Sequence, residues 1–141
     1  MNAKLKLENQ LCFPLYAAAK EITRRYRPLL DPFGLTYTQY IAMMALWERH
    51  RLTITELGSM LMLDSGTLTP MLKKMERDGL ILRHRSDDDE RKVMITLTPK
   101  GKALHDEMGI VPEQMGACVK LDSGEAEQLY GLLYKLINAL K

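Results

Sequence analysis

The stretch that decides the fold runs from Leu63 to Gly101 and reads LDSGTLTPMLKKMERDGLILRHRSDDDERKVMITLTPKG. Asp64 and Ser65 can cap a helix, because their short side chains accept hydrogen bonds from the unpaired N–H groups of the first turn. Gly79 is a typical helix stop, and between these signals apolar residues recur at helical spacing: Leu68, Met71, Leu72 and Met75. The stretch therefore begins with an amphipathic helix.

A charged hairpin is predicted directly after that helix. Residues 80–85 and 92–97 alternate or cluster apolar side chains, whereas the connector at 86–90, SDDDE, is entirely polar. This pattern is typical of two strands joined by an exposed tip. We expect the hairpin to be an island of strand in an otherwise helical chain.

Upstream residues complete a recognisable unit. Thr36 is a suitable N-cap for a helix over 37–49, and Thr53 or Thr55 begins a short helix before the turn at 62–64. The short helix, the turn and the next helix form a helix-turn-helix, and the hairpin would be its wing. The fold class is mainly α with a small β-hairpin wing, and residues 36–101 are the expected winged-helix, DNA-binding portion.

The N-terminal region is also predicted to be helical. Residues 5–30 carry apolar side chains at helical spacing, and the helix ends at Pro28 or soon after. Pro14 leaves two alternatives, since the helix either begins near Phe13 or is kinked there.

The C-terminal third returns to helix. Pro99 suits a first helical position, and a run over 103–117 has Pro112 as its expected kink. A last helix starts at 122–123, and it carries a wide apolar stripe: Ala126, Leu129, Leu132, Leu133, Leu136, Ile137 and Leu140. Such a stripe is too wide for a solvated surface.

These apolar terminal helices predict a homodimer. In the single chain of residues 1–141, segments 1–35 and 102–141 would be dimerisation helices on either side of the DNA-binding portion. A two-fold dimer places its two reading helices roughly 34 to 36 Å apart, about one turn of DNA. The expected partner is therefore a pseudo-palindromic operator in double-stranded DNA.

Composition restricts the class of protein. The 141 residues are 46% hydrophobic and 27% charged, which is typical of an ordered globular domain. No apolar run approaches the roughly 18 residues that cross a bilayer, and the N-terminus lacks an apolar signal core. We expect a cytoplasmic protein that does not bind membranes. Its three histidines lack neighbouring ligands, so no metal or other cofactor is expected.

Charge is concentrated where DNA would bind. Residues 73–85 contain five basic residues and only two acidic ones, although the formal net charge of the whole chain is only +2. We expect the major groove to be contacted by Ser65, Thr67, Thr69 and Pro70. We expect the phosphates to be contacted by Lys73, Lys74 and Arg77.

The wing carries both signs of charge. Four consecutive acids over 87–90 would repel phosphate, so wing contacts are left to Arg91, with Arg85 in support. We expect Arg91 to enter the minor groove while Asp89 orients its guanidinium group.

At this point the chain resembles a known family. The hairpin sequence DDDERKVMITLTPKG, with Asp89 and Arg91, is similar to the Asp-x-Arg wing signature of MarR-type transcriptional regulators. Residues 6–48, KLENQLCFPLYAAAKEITRRYRPLLDPFGLTYTQYIAMMALWE, and 63–81 resemble the organic hydroperoxide resistance regulator (OhrR) group. The resemblance covers about residues 6–101, and the tail matches only in its helical character.

The resemblance implies a redox sensor at Cys12. This residue lies in the pattern NQLCF, where the group has its peroxide-reactive cysteine, and Tyr26 and Tyr37 match the tyrosines whose hydroxyls donate to that sulfur. Such hydrogen bonds favour the thiolate. The lining of this site for an organic peroxide would be Phe13, Tyr16 and Met43 or Met44.

Cys118 has two possible roles under the same resemblance. In the two-cysteine branch, a thiol at the end of the fifth helix resolves the sulfenic acid of the other subunit as an intersubunit disulfide. In the one-cysteine branch, a small thiol caps the sensor instead.

The function implied is that of a repressor that senses organic hydroperoxides by oxidation of Cys12 and then releases its operator. The alternative is a MarR-type regulator that binds a hydrophobic or phenolic effector without redox chemistry. An enzyme is not expected: a thiol peroxidase would have no use for the DNA-reading block, and neither a C-x-x-C motif nor strand-helix alternation is present.

Overall fold

The structure, a computed structural model, describes residues 1–141 as seven α-helices and three β-strands. The helices are α1 (Cys12–Leu30), α2 (Tyr37–Arg49), α3 (Ile54–Leu61), α4 (Ser65–Arg77), α5 (Pro99–Glu107), α6 (Ile110–Cys118) and α7 (Ser123–Leu140). The strands are β1 (Arg51–Thr53), β2 (Ile81–Arg85) and β3 (Val93–Leu97). Short 3₁₀ turns lie at Ala3–Leu5, Leu7–Asn9 and Asp31–Phe33.

Side-chain caps set most helix starts where they were predicted. Thr36 forms a capping box with Gln39 at the start of α2, with hydrogen bonds of 3.3 and 3.0 Å between side chain and backbone. Thr53, Asp64 and Thr98 each accept a hydrogen bond from the third residue of the helix that follows. Because a cap joins residues only three apart, the sequence alone reveals it.

The first helix begins later than predicted. Residues 5–11 are outside α1, because the side chains of Asn9 and Gln10 donate to carbonyls of residues 3–6 and hold the chain in 3₁₀ turns. Cys12 is the first helical residue, and Pro14 is the third. Backbone N–H groups in a first turn have no intrahelical partner, so Pro14 neither kinks nor ends the helix. Of the two alternatives, the late start is confirmed.

The sheet has three strands, one more than the predicted hairpin supplies. β2 and β3 pair antiparallel as predicted, and β1 adds to the other edge of β3, giving the order β1-β3-β2. Leu52 on β1 lies opposite Ile95 on β3, and both side chains are buried. A three-residue strand is too short to show a periodic pattern, and its pairing depends on a segment more than 40 residues away.

The core lies between α2, α3, α4 and the sheet. One completely buried side chain comes from each of α2, α3, α4, β2 and β3: Leu46, Leu57, Leu72, Ile81 and Ile95. Burying each such side chain contributes about 1.5–3 kcal/mol. The helix-turn-helix and its wing are therefore one packed unit that holds α4 rigidly.

Two glycines allow close approaches within this unit. A Cβ on Gly58 would lie 2.9 Å from the Leu63 carbonyl oxygen, so α3 and α4 can cross tightly only with glycine there. A Cβ on Gly101 would overlap the Leu80 carbonyl oxygen, and the Gly101 carbonyl itself accepts the Trp47 indole N–H at 2.9 Å. Gly101, in α5, thus packs against α2 and against Leu80, the residue before β2.

The C-terminal run breaks earlier than predicted. α5 ends at Glu107 and α6 begins at Ile110, so the break lies at Met108 and Gly109. The expected kink at Pro112 is wrong, because Pro112 is the third residue of α6, where no N–H donor is needed. Gly109 has a low helix propensity, and Met108 buries its side chain in the core.

The last helix, α7, stands apart from the core. Asp122 and Glu125 form a capping box at its start, as the sequence indicates. None of its residues is buried within the chain. No helix in the structure has both the length and the apolar character that crossing a membrane requires.

Candidate DNA-binding surface and redox site

The two faces of α4 differ sharply. Its inner face buries Leu68, Leu72 and Met75 in the core. The residues predicted to contact DNA are exposed, except that Thr69 is half-buried: they are Ser65, Thr67, Thr69, Pro70, Lys73, Lys74 and Arg77. α4 therefore presents a polar, cationic face to solvent.

The N-terminal end of α4 is tied together by Asp64. Its carboxylate accepts a hydrogen bond from the Thr67 backbone N–H at 2.7 Å. Hydrogen bonds from the backbone and side chain of Thr67 hold the pKa of Asp64 below its ordinary value. Thr67 thus takes part in the cap, which fixes its position on the exposed face.

Two of the basic residues in this region are neutralised by intrachain ion pairs. The Lys74 Nζ lies 2.8 Å from the Asp78 carboxylate. Arg83 donates to Glu76 from its backbone N–H (3.2 Å), Nε (3.3 Å) and Nη2 (3.1 Å). These hydrogen bonds hold the pKa of Glu76 below its ordinary value. The Glu76–Arg83 link joins α4 to β2, and the sequence pattern contained no signal for it.

The cations without an ion pair inside the chain supply the positive charge of this surface. Lys73 and Arg77 on α4 make no intrachain ion pair. The Arg85 Nη1 donates to the Glu90 carbonyl at 2.7 Å, which places Arg85 beside the wing tip.

At the wing tip, Asp89 holds Arg91. The Asp89 Oδ1 accepts from the Arg91 backbone N–H at 3.0 Å and from its Nε at 3.2 Å. These hydrogen bonds lower the pKa of Asp89 below its ordinary value. The Arg91 side chain nevertheless remains 91% exposed. The structure thus brings together the predicted pair and directs the guanidinium group to solvent.

The two cysteines are free and exposed at helix ends. Cys12 is the first residue of α1 and Cys118 is the last residue of α6. Asn9 and Gln10, from the NQLCF pattern, fold the turns that lead into Cys12. The N-terminus of a helix carries a partial positive charge, which stabilises an anion placed there.

Tyr26 and Tyr37 lie together in a cluster with a third tyrosine. The ring centroids of Tyr26 and Tyr37 are 4.8 Å apart, and Tyr40 lies 5.7 Å from Tyr26 and 6.4 Å from Tyr37. Burial, and then the neighbouring tyrosines, raise the pKa of Tyr26 above its ordinary value. Sequence reasoning missed Tyr40, although its three-residue spacing from Tyr37 places both on one side of α2.

A single chain keeps Cys12 far from this tyrosine cluster. Cys12 and Tyr26 are 14 positions apart on the continuous helix α1, which at 1.5 Å per residue separates them by about 21 Å. No tyrosine side chain spans that distance. Met43 is completely buried in the core and cannot line a site at Cys12, whereas Phe13, Tyr16 and Met44 are exposed. Bringing Cys12 to the tyrosines requires a second chain.

Exposed apolar side chains lie on the elements outside the winged helix. On α1 they are Phe13, Leu15, Tyr16 and Ile22, and on α7 they are Leu129, Tyr130, Leu132, Tyr134, Leu136 and Leu140. Leu132, for example, is 64% exposed. Two helices that each expose several large apolar side chains are typical of a protein interface.

Comparison with known proteins agrees with this arrangement. A family model of the transcriptional regulators SarA/Rot matches residues 24–108. The organic hydroperoxide resistance transcriptional regulator of Bacillus subtilis (strain 168) is 48% identical over 136 residues, covering 96% of this chain and 92% of that protein. The name of that protein agrees with the family resemblance found in the sequence, and the similarity extends over nearly the whole of both chains.

Solved structures agree as well. Reduced AbfR bound to DNA has a TM-score of 0.84 and 33% identity, with 97% of this chain and 94% of that chain covered. Disulfide-formed AbfR has a TM-score of 0.70 and 35% identity, with coverage of 95% and 94%; AbfR is a protein of Staphylococcus epidermidis. Relatives of this kind are transcriptional regulators rather than enzymes. This chain belongs to the MarR family of winged-helix transcriptional regulators, within its organic hydroperoxide resistance regulator group.

Proposed function

We propose that this protein is a DNA-binding repressor that senses organic hydroperoxides through oxidation of Cys12 and then releases its operator. The observation that carries the proposal is the free, exposed Cys12 at the first position of α1, in a chain 48% identical to the organic hydroperoxide resistance regulator of Bacillus subtilis. Within one chain, Cys12 and Tyr26 lie about 21 Å apart along α1. A sensor site built from these residues is complete only between two chains. Oxidation at such a site acts directly on the geometry of the dimer.

The chemical step is a two-electron oxidation. The thiolate sulfur of Cys12 attacks one oxygen of the peroxide, so an S–O bond forms and the O–O bond breaks. The other oxygen leaves as an alkoxide and takes a proton from solvent to become an alcohol. The hydroxyls of Tyr26 and Tyr37 on the partner subunit would donate to the thiolate and favour it over the thiol.

Cys118 is the proposed resolving residue. Its thiol, from the other subunit, attacks the sulfenic sulfur of Cys12, so an S–S bond forms and water leaves. The exposure of both cysteines, each at the end of a helix, supports this step. The existence of a disulfide-formed structure of AbfR supports it for this group of proteins.

Operator recognition is assigned to α4 and the wing. The exposed residues Ser65, Thr67 and Pro70, together with the half-buried Thr69, would face the major groove. Phosphates would be contacted by Lys73, Arg77 and Lys74, the last at the expense of its ion pair with Asp78. Arg91 would enter the minor groove under the control of Asp89, with Arg85 beside it.

Two chains are proposed to pair through residues 1–35 and 102–141, while residues 36–101 read a pseudo-palindromic operator. The apolar stripe of α7 would supply much of the contact. Leu129→Glu should shift the molar mass measured by light scattering from a dimer toward a monomer. Glu127→Lys, on the opposite face of α7, should leave it dimeric. A wild-type monomer at micromolar concentration would contradict the assignment.

The decisive experiment measures operator binding before and after oxidation. The wild type should lose operator affinity after one equivalent of cumene hydroperoxide per chain and regain it with dithiothreitol. Cys12→Ser should bind the operator as tightly as the reduced wild type and ignore the peroxide. Release of Cys12→Ser by the peroxide would refute the redox mechanism. Its release by a phenolic compound alone would favour the effector-binding alternative.

A further inference from the structure

We propose that Tyr40 is a positioning residue for the oxidation of Cys12, because its buried ring holds Tyr26 and Tyr37 where their hydroxyls meet the sulfur of the partner subunit. The inference rests on the proposed function and extends it. Tyr40 itself is not assigned a contact with the sulfur or the peroxide.

The geometry makes Tyr40 the anchored member of the cluster. Its side chain is only 3% exposed and belongs to the hydrophobic core, whereas Tyr26 and Tyr37 are half-buried at the edge of that core. Its ring contacts both of the others, at centroid distances of 5.7 and 6.4 Å and tilts of 43° and 55°. Tilted aromatic pairs at these distances hold a preferred mutual orientation.

The elements explain why this ring sets the position of the other two. Tyr37 and Tyr40 both lie on α2, three residues apart, so the helix fixes their relative placement. Tyr26 comes from the end of α1 and packs against both rings. Without the ring of Tyr40, Tyr26 would lose one of its two aromatic neighbours and could turn away from the site.

The ring, rather than the hydroxyl, of Tyr40 is the active feature. The contacts that Tyr40 makes with Tyr26 and Tyr37 are contacts between rings. Burial, followed by the nearby Tyr37, raises the pKa of Tyr40 above its ordinary value, so the group is neutral at physiological pH and carries no charge to the site. A phenylalanine ring would fill the same space.

The test compares Tyr40→Leu, Tyr40→Met and Tyr40→Phe in a Cys118→Ser background, so that only Cys12 reacts. The first readout is the rate of Cys12 oxidation by cumene hydroperoxide at pH 7. Without the aromatic ring, this rate should fall by about ten- to a hundredfold, since small misplacements of catalytic groups have effects of this size. Tyr40→Phe should stay within about twofold of the wild type, because it keeps the ring.

The second readout is the pH dependence of Cys12 alkylation by iodoacetamide. Leu and Met at position 40 should move the midpoint of this profile to higher pH, since the tyrosine hydroxyls would then stabilise the thiolate less. A purely structural role of Tyr40 would leave the profile unchanged. The Met variant keeps most of the core volume, so the test stands if the Leu variant fails to fold.

Two results would overturn the inference. One is a wild-type rate and pH profile in a folded Leu or Met variant that still binds the operator. The other is a Tyr40→Phe variant as impaired as Tyr40→Leu, since that would assign the effect to the hydroxyl. If wild-type Cys12 itself failed to react with the peroxide, the proposed function would fail instead, so the two failures are distinguishable.

Discussion

Removing the guanidinium group of Arg91 tests whether the wing contributes to operator binding. The Arg91 side chain is 91% exposed, and its only intrachain partner is Asp89, at 3.2 Å. Replacement by alanine therefore leaves the core and the hairpin register unchanged. Any loss of operator affinity in Arg91→Ala can be attributed to the contact with DNA.

The size of this effect follows from the number of wings. A hydrogen bond to a charged group contributes about 1.5 kcal/mol at the low end of its range. Two wings per dimer then contribute about 3 kcal/mol, which corresponds to a roughly 150-fold weaker operator affinity. Losing two DNA-contacting cations should also reduce the slope of log K against log salt concentration by about 1.8.

Asp89 provides a sharper comparison, because two explanations predict opposite signs. If charge alone matters, Asp89→Asn should tighten binding, since it removes a negative charge near phosphates. If Asp89 orients Arg91, as their hydrogen bonds indicate, Asp89→Asn should weaken binding. Asp88→Asn, an exposed acid of the same tip whose side chain holds no arginine, is the matched control and should tighten binding slightly.

The assay is fluorescence anisotropy with a labelled operator under reducing conditions at several salt concentrations. Unchanged affinity and salt slope in Arg91→Ala would refute the wing assignment. Tighter binding by Asp89→Asn, equal to that of Asp88→Asn, would refute the orienting role of Asp89.

Three further outcomes are expected. Hydrogen bonds from Arg83 lower the pKa of Glu76 in the folded protein. The stabilising effect of Glu76 is therefore complete above the ordinary Glu pKa of about 4.3 and is lost as the pH falls through the lower folded-state value. The urea midpoints of wild type and Glu76→Gln should differ at pH 7 and converge toward pH 3. Gly101→Ala should lower the free energy of unfolding by about 1–3 kcal/mol, since its methyl group would overlap the Leu80 carbonyl; a wild-type urea midpoint would contradict this packing. Cys118→Ser should abolish the peroxide-induced dimer band on non-reducing gels, and a persisting band would assign the crosslink to another pair.

The sequence predicted the fold well where local chemistry sets it. Thr36, Asp64 and Asp122 cap their helices through hydrogen bonds to residues three positions away, so the relevant partners lie within one turn. The hairpin strands were recognised because an all-polar connector separates two apolar segments.

Prediction failed where a longer-range partner decides the structure. β1 exists because β3 pairs with it, and the late start of α1 depends on side chains of Asn9 and Gln10 that reach back to residues 3–6. The break at Gly109 was missed because the neighbouring Pro112 is a stronger helix breaker in general. At the third position of a helix, however, proline costs nothing.

For the candidate site, the sequence by itself determined which residues are proposed to carry the chemistry. The NQLCF pattern, the paired tyrosines and the Asp-x-Arg wing are local motifs, and the family resemblance that they carry predicts a reactive thiol, its hydrogen-bond donors and an oriented cation. The tertiary structure decided which of these groups can act together. It pairs Arg83 with Glu76 and leaves Lys73 and Arg77 without an intrachain ion pair. It also places Tyr40 in the tyrosine cluster and separates Cys12 from that cluster. The physical reason is range: caps and motifs depend on neighbours within a helical turn, whereas charge pairing, ring packing and distance along a rigid helix depend on how remote segments meet.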